Sequence, residues 1–540
     1  MKKNTKLILI DIFTIALVSY LAYLYFKPVI IQPCDFVYVE RNANIHPDNS
    51  NAVIPPNISP LNFIIDEPAK KYHIEIYDEK KQNKIAITSI SPKIKIPMKK
   101  WAGLLNNNKG NKIYFDIYTK EDSKKQWTKF KTIENIIARE DIDRYLVYRK
   151  MQALYTKHQA IGIYQRDLTN FSEKPIVRGK GFRRPFDTSS GGCVNCHSFC
   201  DNSGDKMAIA FRDNKLGFDE LIAVDGKIKK IGTKFGYPTW HPTGKMITYS
   251  INKVFQFFHS QRNEVRDVVD LDSALAYYDL KSQKVKTSPQ FSSKEKLETF
   301  PSWSPDGKYL YYCCATTEIR GSDQQRFDWL KENHKKIRYD LMRISYDIKT
   351  DTWGQAEMVL ASTETRKSIL LPRISPDGKF ITFCMCDYGS FSLYLKDSDL
   401  YIANLDQFNQ SGQLKYSRLT CNSDWPESWH CWSSNNRWLV FSSKRFEGRL
   451  FTKLYICYID ENGNSSKPIL LPQQDSSFYD SFIGFYGLAE LIKNPVKISE
   501  KDIIAAARSS EKINIDMPLT GATFKAHLNY TTNNSQQERE

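Results

Sequence analysis

Alternating apolar and polar positions, which are typical of β-strands with one buried face, run through most of this chain. The clearest examples in the first third, between turns rich in Pro and Asn, are residues 61–65, 72–77 and 113–118. They predict a small antiparallel β-sandwich of immunoglobulin or fibronectin type over residues 35–139. Beyond it the apolar spacing approximates one face of a helix, which predicts a connector helix followed by a propeller-closing strand within residues 140–192.

A repeated turn dominates the second half of the chain. The sequences YPTWHPTGK at 237–245, FPSWSPDGK at 300–308 and LPRISPDGK at 371–379 are three copies, and WSSNNR at 432–437 is a looser fourth. Each copy precedes an apolar run, so its Thr-Gly, Asp-Gly or Asn-Asn pair can supply the positive-φ turn of a β-hairpin. A third strand is predicted in each unit, at 274–280, 340–347, 399–405 and 453–460.

The number of these units predicts a closed ring. An earlier, degenerate unit begins near Phe199, and a sixth can be shared between the chain ends, with residues 161–165 beside strands within 478–491. Sharing a unit between the ends removes the open sheet edges. We therefore predict a mainly β protein in which residues 193–492 form a six-bladed β-propeller, with seven blades as the alternative. The longer loops, expected to project from the ring, are 256–272 and 318–338.

Small and aromatic side chains repeat in register with the turn. Ten residues after the Trp or Ile position, each copy has a serine or a cysteine, which predicts strands that converge where room is limited. The tryptophans of the copies are predicted to be core residues between blades rather than ligand contacts. The small residues are Ser250, Cys313, Cys384 and Ser442, and the tryptophans are Trp240, Trp303 and Trp432.

These motifs resemble the TolB-like, WD40-like (PD40) propeller family, whose signature is the W-S-P-D-G-K turn. The resemblance covers roughly residues 197–490 and is most specific from Trp303 to Lys308. The long inserts depart from the family pattern, as does the pair Asn435-Asn436 in place of Asp-Gly. Members of the family commonly act as protein-interaction platforms in the cell envelope. The resemblance therefore implies an interaction or assembly scaffold with an envelope protein as its partner.

The first 34 residues are predicted to form a cytoplasmic stub and a membrane anchor. Three lysines precede the apolar run 7–26, and about twenty helical residues span a bilayer. Positive charge before the span predicts a cytoplasmic N-terminus and an extracytoplasmic chain after Lys27. A cleaved signal peptide is the alternative, but its apolar segment is usually only ~7–15 residues long. At the other end, residues 493–540 are predicted to be an extended polar tail.

The segment GGCVNCH at 191–197 contains a C-x-x-C-H motif, the attachment signature of a c-type haem. Cys193 and Cys196 can form thioethers with the two vinyl groups, and His197 can bind the iron from the proximal side. An extracytoplasmic location agrees with such attachment, so we expect haem c. The candidates for the distal ligand are Met207, His241 and His259.

The same cysteines could also serve without haem. Cys200 adds a third thiol, so a disulfide within the trio is an alternative in an oxidising compartment. Zinc bound by Cys193, Cys196, His197 and Cys200 is another, although four ligands within eight residues crowd a tetrahedral site. A thioredoxin-like pair is disfavoured, because no βαβ pattern surrounds the motif.

Composition and motifs argue against several functions. The chain has 540 residues, and 77 Lys and Arg against 61 Asp and Glu give a net charge of +16. The basic residues are scattered among acidic ones, so we expect no nucleic-acid partner. Known catalytic signatures do not occur, and Asp306 and Asp377 are turn formers, so the chain is not expected to be an enzyme. We expect a haem-carrying scaffold. A haem-dependent redox protein or electron carrier and a haem-free propeller are the alternatives.

Overall fold

We describe the protein from a computed structural model that covers residues 33–152, 161–182, 192–213, 216–233, 235–258, 266–293, 295–318, 321–446 and 451–515. The predicted anchor, residues 7–26, and the candidate ligand His259 lie outside these ranges. Within them, every helix is too short or too polar to pass through a bilayer.

Two sheets and one helix form the N-terminal part of the structure. The strands are β1 (Phe36–Val39), β2 (Ile45–His46), β3 (Val53–Ile54), β4 (Phe63–Ile65), β5 (Lys71–Asp78), β6 (Lys84–Ser89), β7 (Lys93–Ile94), β8 (Lys112–Lys120), β9 (Trp127–Phe130) and β10 (Ile133–Ile137), and the helix is α1 (Met98–Asn107). The larger sheet has the order β1-β9-β8-β10-β3, with β5 on β8 and β6 on β5, and the smaller has the order β2-β4-β7.

The three strands predicted here are present as β4, β5 and β8. The pairing differs from the predicted antiparallel sandwich, because β1 runs parallel to β9 and β3 runs parallel to β10. Helix α1 also packs into this core through Trp101, whose indole donates to the carbonyl of Ile58 at 3.1 Å. Alternation shows which face of a strand is buried and leaves the direction of its neighbour open, so the antiparallel topology was wrong.

Six four-stranded antiparallel sheets lie in the described part of the remaining chain. Sheets 1 to 5 follow in chain order, and a closing sheet combines both chain ends; in each, the first strand named is the innermost. Their strands are β14 (Cys193–Cys200), β15 (Ser203–Asp213), β16 (Gly217–Val224) and β17 (Lys227–Ile231); β18 (Gly236–Trp240), β19 (Met246–Phe258), β20 (Arg266–Asp279) and β21 (Lys284–Lys286); β22 (Lys296–Trp303), β23 (Tyr309–Thr316), β24 (Asp340–Asp347) and β25 (Thr352–Leu360); β26 (Ser368–Ile374), β27 (Phe380–Cys386), β28 (Asp399–Asn404) and β29 (Tyr416–Arg418); β30 (Glu427–Trp432), β31 (Trp438–Ser443), β32 (Lys453–Tyr458) and β33 (Ile469–Leu470); and, in the closing sheet, β34 (Gly484–Ile492), β11 (Tyr145–Gln152), β12 (Gly162–Asp167) and β13 (Glu173–Arg178).

The innermost strands of these sheets form a closed cycle. Each of β14, β18, β22, β26 and β30 contacts the next, and β34 contacts both β30 and β14. The cycle is completed by the pairing of β34, from the end of the chain, with β11. A ring of four-stranded sheets around a common axis is the arrangement of a β-propeller. The protein is therefore mainly β and propeller-like.

The predicted connector helix is strand β11 of the closing sheet, so this prediction was wrong. Leu146 and Tyr148 join one apolar cluster, and Val147 and Met151 join another. A strand between two packed neighbours is buried on both faces and loses its clear alternation. Its apolar residues then fall by coincidence at a spacing close to that of a helix.

The predicted polar tail contains a helix, α5 (Glu500–Arg508), which the extended interpretation missed. Ser499 caps its first turn by accepting from the backbone of Asp502 at 3.2 Å. At the other end, the ammonium of Lys230 donates to the carbonyl of Ala507 at 2.8 Å. The bond from Lys230, on β17, docks the helix on sheet 1. Residues 516–540 lie outside the described ranges.

The remaining helices are short and lie between strands. They are α2 (Asp323–Asn333), α3 (Ser362–Thr365) and α4 (Leu405–Ser411), with 3-10 turns at Gly179–Phe182, His334–Lys336, Ser392–Tyr394 and Phe478–Asp480.

The repeated tryptophans join neighbouring sheets, as predicted. Each is buried, and its indole N–H donates to the sheet before its own. A buried indole requires such a partner, so these residues are structural. The bonds are Trp240 to Ser198 O at 3.3 Å, Trp303 to Thr248 Oγ1 at 3.1 Å and Trp432 to Thr382 Oγ1 at 3.0 Å.

The repeated small residues reach in the opposite direction, to the innermost strand of the next sheet. Ser250 Oγ lies 3.2 Å from Thr299 Oγ1, and Ser442 Oγ donates to the carbonyl of Tyr486 at 3.1 Å. Cys384 stands at the same repeat position and is fully buried. These contacts and this burial confirm that the position is structural, because a larger side chain would push the sheets apart.

The N-terminal sheets rest on sheet 5. The Asn62 amide donates to the carbonyls of Gln473 and Gln474 at 3.2 and 3.1 Å. The segment leading to β11 crosses the turn of the fourth copy, where the Ser434 backbone donates to Asp143 at 2.7 Å.

Candidate functional site

A central channel is lined by residues of all six innermost strands. Each strand shifts its register at the channel wall. Five of them place a non-glycine residue there in the left-handed region, where such residues are uncommon and strained. Recurrence of this strain around one axis makes the channel the candidate site. The five residues are Tyr237, Phe300, Leu371, Trp429 and Leu488, with φ of 49, 52, 54, 50 and 52°.

The channel wall has a polar half and an apolar half. Four consecutive innermost strands contribute polar side chains, namely Arg373 from β26, His430 from β30, Glu490 from β34 and His197 from β14. The apolar half consists of the pairs Tyr237-Pro238, Phe300-Pro301 and Leu371-Pro372. An apolar cleft with a few convergent polar groups is the usual form of a small-molecule site.

Aromatic rings meet across the axis. Tyr237 on β18 and Trp429 on β30 belong to opposite strands of the ring, yet they stack with centroids 5.8 Å apart. Phe300 lies 4.4 Å from Tyr237, and Phe391 lies 6.4 Å from it on another side. These rings bridge the channel and give a ligand a flat apolar surface.

His197 is buried at the polar wall and is only 4% exposed. Neither ring nitrogen makes a hydrogen bond of ordinary geometry with the described residues. Burial, and then the charge of Arg149, lower its pKa to about 3, although nearby backbone groups of Asn195 and Leu488 oppose the shift. The imidazole is therefore neutral, with both nitrogens able to serve a ligand.

His430 has the same character and lies two innermost strands away. It is 2% exposed, and its Nδ1 is 3.7 Å from the Cys384 thiol. Its Nε2 has no hydrogen-bond partner among the described residues. Burial, and then the nearby Arg373 guanidinium, lower its pKa to about 3, so this ring is also neutral.

Arg373 and Glu490 complete the polar wall without pairing directly. Burial raises the pKa of Glu490 to about 7, against the opposing effects of Arg373 and the Phe199 N–H, which donates to Oε2 at 3.2 Å. The Arg373 guanidinium acts on Glu490 and on His430 through its charge, and not through a hydrogen bond to either side chain. The channel therefore contains a guanidinium whose donors these two side chains leave unused.

The sequence-predicted site residues do not assemble in one place. Cys196 and His197 line the channel, whereas Cys193 is 2% exposed and packs in the apolar cluster between the closing sheet and sheet 1. Met207 lies in that same cluster. His241 sits in the turn of the first copy, with Nε2 3.1 Å from the carbonyl of Gly307. Neither described candidate for a distal ligand faces the channel.

The placement of the two thiols decides how well a covalent haem fits. Two thioethers require both cysteines at the edge of one macrocycle, but here only Cys196 lies at the channel. His197 lies where it could hold the group. Attachment through Cys193 does not fit, because this strand places Cys193 in an apolar cluster away from the channel.

The disulfide and the zinc site that the sequence left open stay as alternatives. Among the described residues, no group of three or more His, Cys, Asp or Glu side chains is placed to hold a metal ion.

The chain was compared with known proteins. No family model and no curated protein matches it. TolB from Acinetobacter baumannii has 14% identity and a TM-score of 0.38, with 71% of this chain and 79% of that chain covered. A hypothetical selenium-binding protein from Sulfolobus tokodaii has 8% identity and a TM-score of 0.39, with 67% and 96% covered. Oligogalacturonate lyase in complex with manganese has 11% identity and a TM-score of 0.31, with 78% and 99% covered. These scores carry no argument about function, and the propeller assignment rests on the sheets themselves.

His430 is the channel residue that the sequence reasoning missed. It follows the left-handed position of the fourth copy, where the other copies have Pro238, Pro301 and Pro372. The predicted fourth copy begins at Trp432, and extending it three residues upstream, as in the other copies, would have singled out His430.

Proposed function

We propose that this chain is a membrane-anchored, extracytoplasmic interaction scaffold, with the six four-stranded sheets acting as the blades of a propeller. Residues 7–26 serve as the anchor, the N-terminus is cytoplasmic, and an envelope protein is the partner. The observation that carries the proposal is a long, ordered hairpin of sheet 2 that reaches the neighbouring sheets.

The long hairpin of sheet 2 packs with one helix. Strands β19 and β20 have 13 and 14 residues, whereas the corresponding strands of sheets 3 to 5 have six to eight. Much of the predicted loop 256–272 is therefore strand, and it does not project from the ring: β20 is buried, and Tyr339 of sheet 3 donates to Asp270 at 2.8 Å. Helix α2 packs on the hairpin, with Phe255 and Phe327 4.2 Å apart, and Arg326 donates to the carbonyl of Leu271 at 2.5 Å. A hairpin held in this way supports binding, because little conformational entropy is lost when a partner docks.

Site-specific crosslinking in cells tests the scaffold. A photo-crosslinking residue replaces Val254, which is 40% exposed on strand β19 of the long hairpin, and a matched control replaces Met358, which is 51% exposed on the outer strand β25. We expect one protein adduct from position 254 and none from position 358. Equal adducts, or none at position 254, would contradict the proposed surface.

Haem attachment is not part of this proposal. A covalently attached haem would need Cys193 to leave its apolar cluster, at a cost of about 1–3 kcal/mol for the lost packing. His197 would hold such a group, which would supply one-electron chemistry. Acid-acetone extraction of the purified full chain distinguishes a haem-carrying scaffold from a haem-free one.

A further inference from the structure

The two halves of the channel wall favour contact with different parts of one ligand. The prolines and aromatic rings of β18 and β22 offer apolar contact, and the polar groups Arg373, His430, Glu490 and His197 come from β26, β30, β34 and β14. A purely apolar ligand would leave the buried nitrogens of His197 and His430 without partners, which is costly. A purely polar ligand would gain nothing from the aromatic surface.

The polar half is rich in hydrogen-bond donors. The charged guanidinium of Arg373 lies at the channel wall, and each neutral imidazole can donate from one ring nitrogen. The Glu490 carboxyl lies between the two histidines in the order of strands, and Arg373 acts on it through charge and not through a hydrogen bond. A planar anion with two acceptor oxygens matches this set, because a guanidinium binds a carboxylate through two parallel bonds.

We propose that the axial channel binds a small organic carboxylate with an aromatic or similarly flat apolar body. The carboxylate accepts from Arg373, with His430 and His197 as the flanking donors. The apolar body lies against the rings of Tyr237 and Trp429. This site is independent of the scaffold surface, since neither Val254 nor the anchor contributes to it.

Calorimetry on the purified full chain tests the site with benzoate and 3-phenylpropionate as probes. We expect dissociation constants in the millimolar range or below, as suits ligands of this size. The matching neutral amides, benzamide and 3-phenylpropionamide, should bind at least about tenfold more weakly, because they lack the charge that Arg373 recognises. No carboxylate binding up to about 10 mM, or equal binding of acids and amides, would overturn the proposal.

Variants at the channel locate the binding. Arg373→Gln should weaken carboxylate binding at least about tenfold, and Arg373→Lys, which keeps the charge but loses the planar fork, should weaken it less. Arg418→Gln is the matched control, because Arg418 is paired with Asp399 on an outer strand. Glu490→Gln should tighten binding at pH 8 by removing a like charge from the wall. Unchanged binding in a folded Arg373→Gln protein would overturn the assignment; if that variant fails to fold, Arg373→Lys and the amide comparison decide.

Discussion

Replacement of Glu490 by Gln is expected to stabilise the protein at alkaline pH and to leave it unchanged in acid. The carboxyl lies at the channel wall, and burial raises its pKa from 4.5 to about 7. The folded state therefore holds a proton that the unfolded chain has already lost between these two values. By linkage, the stability of the native protein falls as pH rises from 4.5 to 7.

The size of the effect follows from the shift. One pKa unit corresponds to 1.36 kcal/mol, so the rise gives a penalty of about 3 kcal/mol once the pH exceeds 7. Gln keeps the acceptor oxygen for the Phe199 N–H and carries no charge. The variant should therefore be about 3 kcal/mol more stable than the native protein at pH 8 and equal to it within a few tenths at pH 4.

Urea unfolding followed by tryptophan fluorescence, repeated between pH 4 and pH 8, measures the difference. Glu79→Gln is the matched control, because Glu79 is exposed in a turn of the N-terminal sheets. Its stability should differ from that of the native protein by the same small amount at every pH. A Glu490→Gln variant that is no more stable at pH 8 than at pH 4, relative to the native protein, would refute the account of a buried, protonated carboxyl.

Three further outcomes are expected. His430→Gln should reduce the loss of stability on acidification, by about 2 kcal/mol at pH 5. The lowered pKa keeps the native ring neutral, whereas the ring in the unfolded chain takes up a proton below pH 6.5. Unfolding measured at several pH values tests this. Trp303→Phe should lower the free energy of unfolding by about 1–3 kcal/mol, because the hydrogen bond to Thr248 is lost. Trp425→Phe, at a half-buried position, is the control and should lower the free energy of unfolding less in the same assay. Acid-acetone extraction should remove any Soret absorbance, and a band that survives it and disappears in Cys193→Ala would show instead that β14 opens to attach haem.

The turn repeat carried most of what the sequence could predict about the fold. A hairpin turn fixes where its two strands begin. The third strand of the same unit, predicted at 340–347, is observed as Asp340–Asp347. The hydrophobic pattern is less informative for a strand that is buried on both faces. Strand β11 is apolar on both faces, and its pattern does not separate a strand from a helix.

The channel was beyond sequence reasoning for a different reason. His197 and His430 are more than 230 residues apart, and they line one channel only because β34 closes the ring between them. A single histidine has no periodic signal, so the sequence favoured His197, which the C-x-x-C-H motif marks, and passed over His430. The same motif drew attention to Cys193, which the fold places in an apolar cluster.

The repeat itself explains why the channel has two halves. At each register shift the strand leaves its ladder, so the residue after the left-handed position needs no backbone N–H for pairing. Proline fits that place, and three successive copies use Pro238, Pro301 and Pro372. The fourth copy has His430, and the closing strand has Ala489 followed by Glu490. Since all the innermost strands are shaped by the same bend, substitutions at this position change the chemistry of the wall and leave the frame intact. Arg373 and Glu490 stand one position further along, directly after Pro372 and Ala489, so chemistry in this channel is to be sought at the two positions that follow the left-handed residue.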